Sequence, residues 1–173
     1  MSSHTSSVVR IASTPDAPAA GPRTDRAVQL SLFDVRPANR ILCLPVAELH
    51  GATFARVFTG ARPATVVDLR SHPHFDMTAL DRSATFELFR NVGSAYLHLP
   101  VDLRPPADQT GWWRLRARTA EVLDGLAAAQ TDAGGTFAFL VNRRREVPIL
   151  EAAVRQPEGR GAVAWSVEDP GPA

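Results

Sequence analysis

The sequence predicts an α/β domain of three layers, in which a mostly parallel five-stranded sheet carries helices on both faces and follows a disordered N-terminal tail. Two observations lead to this prediction. Five short apolar runs alternate with four longer runs of helical periodicity, which is typical of a parallel sheet covered on both sides. Residues 1 to about 27 are mostly Ser, Thr, Ala, Pro and Gly, and such a stretch buries too little to offset its ordering entropy.

The middle of the chain holds the clearest pair of elements. The run 64–70 is β-branched and lies between Pro63 and a Ser-His-Pro turn, which predicts a buried strand. The run 79–92 has helical spacing, and Gly93 follows it as a stop signal. Within this run, Leu80, Ala84, Leu88 and Val92 stand at fourfold spacing. The other predicted strands are 41–46, 95–100, 136–142 and 162–167, and the other predicted helices are 47–58, about 111–130 and 146–156.

The third predicted helix carries two adjacent tryptophans. Helical spacing places Trp112 on the core face and Trp113 outside it, near Arg116. Exposed aromatic and Arg side chains are also a pattern for nucleic-acid binding. Because the formal net charge is only +1, we expect any association with DNA to be indirect. The predicted core face is Trp112, Leu115, Thr119, Val122 and Leu126.

Length and composition limit the class of protein. The 173 residues accommodate one domain and a tail, which we place at 39–168 and 1–38, with a frayed C-terminus at 169–173. The single cysteine, Cys43, excludes an internal disulfide framework. No apolar run approaches the roughly 20 residues that span a bilayer. We therefore expect a soluble cytoplasmic protein with no membrane partner.

A short peptide near the end of the predicted tail carries the main functional signal. Gln29, Leu30, Ser31, Leu32 and Phe33 read QLSLF, between polar flanks. This peptide resembles the consensus by which bacterial polymerases and mismatch-repair proteins bind the replicative sliding clamp. The resemblance implies that Leu32 and Phe33 anchor in an apolar pocket, with Leu30 in a second depression and the Gln29 amide at the rim. The implied partner is the β sliding clamp of DNA polymerase III, through which the protein would be associated with the nucleoid.

The competing interpretation of QLSLF is an edge strand of the sheet. In that case Val28, Leu30 and Leu32 would alternate onto the core. Phe33 interrupts the alternation, so the sequence favours docking on the clamp.

Two motifs in the predicted domain resemble a known family. The first, at 68–71 with Pro73, reads Asp-Leu-Arg-Ser and ends a strand, and the second, at 96–100, reads Tyr-Leu-His-Leu-Pro. Together they are similar to the domain of unknown function 488, a family of small bacterial proteins with rhodanese-like α/β domains. The resemblance covers roughly residues 40–167 and implies the same fold.

The chain departs from this family in two places. Members often have Gly-His-Ser after the first strand, where this chain has Leu44-Pro45-Val46. Members also carry a Cys-rich stretch ending in Cys-His-Arg, where residues 141–146 read VNRRRE. Cys43 lies in a predicted buried strand, whereas a catalytic thiol needs exposure and an electropositive setting. We therefore assign no catalytic residue and lean against an enzyme.

Charged residues gather where the predicted strands end. Ligands of open α/β sheets bind beyond the carboxyl ends of the strands, and several Arg side chains there would form an anion or phosphate site. The interpretation that we favour is that Asp68 and Arg70 pair with neighbouring residues and hold the loops together. The candidate anion-binding residues are Asp68, Arg70, His72, Arg104, Arg143 and Arg144.

The loop after the second strand also has alternating metal-ligand types, His72-x-His74-x-Asp76. Zinc takes four ligands, or three and a water, and this loop offers three at most. We expect no metal and no cofactor.

Three functions remain open from the sequence. The favoured one is an adaptor or regulator in DNA replication or repair, which docks on the clamp through QLSLF and binds a second replication or repair protein or an anionic ligand. The second is a clamp-recruited enzyme that acts on DNA or nucleotides at Asp68, Arg70 and His72. The third is a small-molecule-binding domain in which the QLSLF match is accidental.

Overall fold

The computed structural model describes residues 39–129, 134–155 and 165–170. Within them, five strands form one sheet: β1 (Asn39–Pro45), β2 (Thr65–Asp68), β3 (Ala95–His98), β4 (Thr136–Val141) and β5 (Trp165–Glu168). Their order is β3-β2-β4-β1-β5, and each neighbouring pair runs parallel. The predicted five-stranded α/β fold is confirmed, and the described sheet is parallel throughout. The predicted disordered tail, 1–38, lies outside the described residues.

The helices of the described residues lie on both faces of the sheet. They are α1 (Gly51–Ala61), α2 (Arg82–Val92), α3 (Gln109–Ala129) and α4 (Val147–Val154), with short 3-10 turns at Val46–Glu48 and Arg144–Glu146. α1 and α2 pack on one face through Phe54, Phe58 and Phe89. α3 and α4 pack on the other face through Leu115, Leu126 and Leu150. None of the helices in the described ranges is long and apolar enough to cross a membrane.

The most buried residues of α2 lie beside the fourfold apolar series of the sequence. Thr85 and Phe89 are the buried residues of this helix, whereas Leu88 and Val92 are only partly buried. The fourfold apolar spacing pointed to a neighbouring strip of the helix, but the Phe89 ring enters an aromatic cluster that excludes more water than the smaller side chains can. Both ends of α2 have standard caps. Asp81 Oδ1 accepts a hydrogen bond from the Ala84 N–H at 2.8 Å at the N-terminus, and Gly93 ends the helix at φ +82°.

The predicted core face of α3 is confirmed. Leu115, Thr119, Val122 and Leu126 are buried, and Trp112 packs partly buried against the same cluster. The helix begins earlier than predicted, because Asp108 Oδ1 accepts a hydrogen bond from the Gly111 N–H at 2.7 Å and so stabilises the first turn.

An aromatic cluster fills the space between the sheet and the first two helices. Neighbouring ring centroids within it lie 5.0 to 6.4 Å apart. Such pairs add specific contact energy to the burial of apolar area. The cluster packs around Tyr96, whose hydroxyl reaches Asp68 at the carboxyl end of β2. Its members are Phe54, Phe58, Phe75, Phe86, Phe89 and Tyr96.

Candidate functional site

A cleft of about 480 Å³ opens at the carboxyl ends of β2 and β4. β2 leads into α2 on one face of the sheet and β4 leads into α4 on the other, so the connections diverge above two neighbouring strands. Such switch points are where parallel α/β sheets bind ligands. Polar residues of its wall include Arg70, His72, His74, Asp102, Arg104 and Asn142.

A buried ion pair forms one side of this cleft. The Arg70 guanidinium donates two hydrogen bonds to the Asp68 carboxylate, from Nε to Oδ1 at 2.9 Å and from Nη2 to Oδ2 at 2.7 Å. The third guanidinium nitrogen, Nη1, donates to the His74 carbonyl at 2.6 Å. The exposed fraction of the side chain is 0% for Asp68 and 5% for Arg70. All three nitrogens of Arg70 are thus engaged inside the protein.

Two residues of β3 complete this network. The Tyr96 hydroxyl donates to Asp68 Oδ2 at 3.0 Å, and His98 Nε2 donates to the Arg70 carbonyl at 2.8 Å. Burial, followed by the charge of Asp68, raises the pKa of Tyr96. The Arg70 guanidinium also lies 4.7 Å from the centre of the Phe75 ring. These contacts desolvate and orient the ion pair. The arrangement agrees with the interpretation that Asp68 and Arg70 hold the loops together.

A second Asp-Leu-Arg sequence, at 102–104, repeats the same turn on the other wall of the cleft. Arg104 Nε donates to Asp102 Oδ1 at 2.9 Å, the same distance as in the buried turn. Both side chains are exposed, at 59% for Asp102 and 86% for Arg104. The hydrogen bonds from Arg104 hold the pKa of Asp102 below its usual value. Of the predicted anion-binding residues, Arg104 is therefore accessible, but its charge is offset by a neighbouring carboxylate.

The turn after β4 directs three consecutive backbone N–H groups at carboxylates of the chain itself. Glu146 Oε2 accepts from Asn142 at 2.8 Å and from Arg143 at 3.3 Å, and Glu48 Oε2 accepts from Arg144 at 3.3 Å. Successive N–H groups of this kind form concave anion-binding nests. Here Glu146 and Glu48 occupy the donors, so an external anion would have to displace a carboxylate.

The structure brings together part of the predicted anion site. Arg70, His72 and Arg104 line one cleft, with Asp68 buried behind Arg70. Arg143 and Arg144 are not in its wall. Instead, Arg144 Nε lies 3.2 Å from Asp169 Oδ2. His72 is exposed, and among the predicted anion-binding residues that line this cleft it alone has no ion pair and no side-chain hydrogen bond within the described residues.

The thiol and the three-residue metal pattern do not form reactive centres in the described residues. Cys43 is completely buried in β1, and burial raises the pKa of its thiol to about 12, which keeps it protonated at neutral pH. No group of three or more His, Cys, Asp or Glu side chains in the ranges 39–129, 134–155 and 165–170 is placed to hold a metal ion.

Sequence reasoning missed the roles of Glu146 and Glu48. Glu146 lies three residues after Arg143, which is the spacing of a capping box and is a local signal for a carboxylate bound to backbone N–H groups. Glu48 is 96 residues away from Arg144 along the chain, and no local pattern connects them.

Comparison of the chain with protein-family models, with curated proteins and with solved structures returns no match. The similarity to the domain of unknown function 488 stays a prediction from the motifs alone. The residues predicted to dock on the clamp, 29–33, lie outside the described part of the chain.

Proposed function

We propose that this protein is an adaptor or regulator of DNA replication or repair that docks on the β sliding clamp of DNA polymerase III through Gln29–Phe33. Its α/β domain then presents a binding surface to a second replication or repair protein or to an anionic ligand. The observation that carries the proposal is the match of QLSLF to the clamp-binding consensus at all five positions.

The chemistry of the peptide suits a shallow apolar pocket. Leu32 and Phe33 supply adjacent apolar anchors, Leu30 a third contact and Gln29 a hydrogen-bonding amide. A few such anchors provide most of the affinity in peptide recognition. Fixing a short segment costs conformational entropy, so one copy is expected to bind with a Kd on the order of micromolar.

The position of the peptide supports a recruiting role. Residues 34–38 are all that separates Phe33 from the first residue of β1, Asn39. A docked peptide would therefore bring the α/β domain to the clamp, and with it any partner that the domain binds.

The geometry of the cleft favours binding over catalysis. Asp68 and Arg70, two of the three residues of the enzymatic alternative, are saturated by each other and by their neighbours. The nest after β4 is filled by Glu146 and Glu48, in the region where the similar family carries Cys-His-Arg. An exposed His72 with no activating partner is a poor general base on its own.

The decisive experiment is a calorimetric titration of purified clamp with a peptide spanning residues 25–38. We expect micromolar binding, and no binding by a peptide of the same composition in permuted order. With the full chain, the triple variant Gln29→Ala, Leu32→Ala and Phe33→Ala should abolish binding, because it removes both anchors and the rim contact.

The matched control is Val35→Ala, which removes an apolar side chain just outside the motif and should leave the affinity unchanged. If the triple variant binds the clamp as tightly as the unmodified chain, docking through QLSLF is wrong. If the tail variant retains cellular function and His72→Ala abolishes it, the enzymatic alternative is the better explanation.

A further inference from the structure

The outer surface of the first half of α3 is basic and aromatic. We call Trp113, Arg114, Arg116 and Arg118 the Arg–Trp face. Trp113 is 62% exposed, and Leu97 is the only other large hydrophobic side chain exposed among the described residues. The indole of Trp113 is therefore available for a contact outside the domain.

The four side chains form a continuous strip around the helix. Trp113 and Arg116 are three residues apart, and both line a cleft of about 570 Å³ with Trp112 at its inner wall. Arg114 and Arg118 are four residues apart, and both line an adjoining cleft of about 530 Å³. Leu115 between them points into the core. The aromatic ring thus lies between cations on two sides.

Two of the three cations of this face, Arg114 and Arg116, have no carboxylate partner on the helix. α3 has no acidic residue in its first turn, and its first carboxylate is Glu121. Glu121 accepts a hydrogen bond from Arg118 at 2.8 Å. Across the described residues, neither Arg114 nor Arg116 forms an ion pair. The charge of Arg118 is offset by Glu121, whereas Arg114 and Arg116 remain available to an anionic partner.

We propose that the Arg–Trp face binds single-stranded DNA directly. A base stacks on the exposed indole of Trp113, and the flanking phosphates contact Arg114, Arg116 and Arg118. Stacking suits an unpaired base because every base has an aromatic face, whereas in a duplex those faces are covered by neighbouring bases. The near-zero net charge does not oppose this binding, because salt screens exposed charges beyond about 8–10 Å and only the local cluster matters.

This proposal does not rest on docking to the clamp. The Arg–Trp face belongs to the folded domain, and the docking peptide precedes that domain in the chain. The two ideas can therefore fail separately, and the same purified full chain tests both.

The experiment measures binding of the full chain to a fluorescein-labelled oligothymidylate of about 16 nucleotides, a length within the range that single domains cover. Fluorescence anisotropy is recorded at several salt concentrations. We expect a Kd of about 1–100 μM at low salt, and a logarithmic salt slope near −2, which corresponds to about 0.7 for each of three phosphate contacts.

Three variants locate the contact. Trp113→Ala should weaken binding about tenfold, whereas Trp113→Phe, which keeps an aromatic ring, should lose much less. The double variant Arg114→Ala with Arg116→Ala should weaken binding and flatten the salt slope by about 1.4, twice the value for one contact. All the substituted residues are exposed, so the thermal midpoint should stay near that of the unmodified chain.

Arg56→Ala is the matched control, because Arg56 is an exposed Arg on α1, which packs on the opposite face of the sheet. It should leave the affinity for the oligonucleotide unchanged, and so should the triple variant of the docking peptide. Equal weakening by Arg56→Ala and Arg116→Ala would show diffuse charge attraction and overturn the assignment.

Two further results would contradict the proposal. The first is the absence of binding to the oligonucleotide at 100 μM of the full chain, which is the weak limit of nonspecific binding, about 10⁻⁴ M. The second is binding of a labelled oligoglutamate peptide in place of the oligonucleotide, because the face would then be a protein-docking surface.

Discussion

Two turns of this domain share the sequence Asp-Leu-Arg and the same hydrogen bonds, but they differ in their surroundings. In each, the Arg backbone N–H donates to Asp Oδ1 at 3.1 Å and the Arg Nε donates to the same oxygen at 2.9 Å. In each, the central Leu is buried, as Leu69 or Leu103. Yet the charged groups of the first turn are enclosed and those of the second are exposed to solvent.

The surroundings decide what each turn contributes. Tyr96, His98 and Phe75 enclose the Asp68–Arg70 pair, whereas Pro105 and Pro106 follow Arg104 at the surface. A buried pair loses hydration and depends on every partner, while an exposed pair exchanges its contacts with water at little cost. We infer that the first turn holds the loops of the cleft and that the second is free to contact a ligand.

The largest expected effect is on stability. Arg70→Ala should lower the free energy of unfolding by about 3–5 kcal/mol, because the buried carboxylate of Asp68 is left without its cation. Arg104→Ala should leave the urea midpoint essentially unchanged, because water replaces the lost contact. Urea denaturation of both variants, followed by Trp fluorescence, measures the difference.

Arg70→Lys refines this comparison. Lys keeps the positive charge but cannot form the planar fork to Asp68 and reach the His74 carbonyl at the same time. This variant should therefore also be clearly destabilised. Equal midpoints for Arg70→Ala and Arg104→Ala would contradict the distinction between the two turns.

A smaller effect concerns Tyr96, which forms a hydrogen bond to the buried turn and none to the exposed turn. As the single Tyr of the chain, it can be titrated by its phenolate absorbance without interference from another phenol. Burial and Asp68 raise its pKa, so we expect ionisation in the folded protein only above the ordinary value of about 10. The same chain unfolded in urea provides the reference.

The raised pKa of Tyr96 makes the free energy of unfolding depend on pH. Between the unfolded and the folded pKa of Tyr96, the folded state binds more protons, so stability should fall as the pH rises above about 10. Tyr96→Phe should weaken this dependence and cost about 1 kcal/mol at neutral pH through the lost hydrogen bond to Asp68. A phenolate that titrates near 10 in the folded chain would show that the network is open to water.

The smallest expected effect is at Asp102 of the exposed turn. Arg104 lowers the pKa of this carboxyl, so its contribution to stability should be present above the ordinary value of about 3.9 and be lost as the pH falls through the folded value. Carboxyl resonances in an NMR titration would follow it directly. Arg104→Ala removes the side-chain hydrogen bonds but keeps the backbone N–H of residue 104, so the pKa should rise toward the ordinary value. An unchanged pKa in that variant would mean that the ion pair does not persist in solution.

Much of the fold could be predicted because its signals are local. The β-branched run at β2, the core face of α3 and the stop at Gly93 each depend on residues near one another in the chain. The most buried residues of α2 are Thr85 and Phe89, which are not members of the fourfold apolar series from Leu80 to Val92. Spacing alone did not show that Phe89 would meet rings from Phe58, Phe75 and Tyr96, which come from distant segments.

The sequence predicted where the candidate site lies, but not which of its charged side chains are already paired. The rule that ligands bind at the carboxyl ends of parallel strands located the cleft and its residues Arg70, His72 and Arg104. Whether a given Arg is available depends on its partners. Arg144 is engaged by Asp169, and its backbone N–H by Glu48, through contacts that no local pattern indicates.

The sequence by itself determined the alternation of strands and helices, the QLSLF peptide and both Asp-Leu-Arg turns, because each depends on neighbouring residues. Only the tertiary structure decided that one turn is enclosed and that the nest after β4 is filled by Glu146 and Glu48. The physical reason is that burial and electrostatic partnership arise between segments far apart in the chain. The same Asp-Leu-Arg sequence can therefore form a buried ion pair that holds the loops after β2 and a solvated ion pair on the surface after β3.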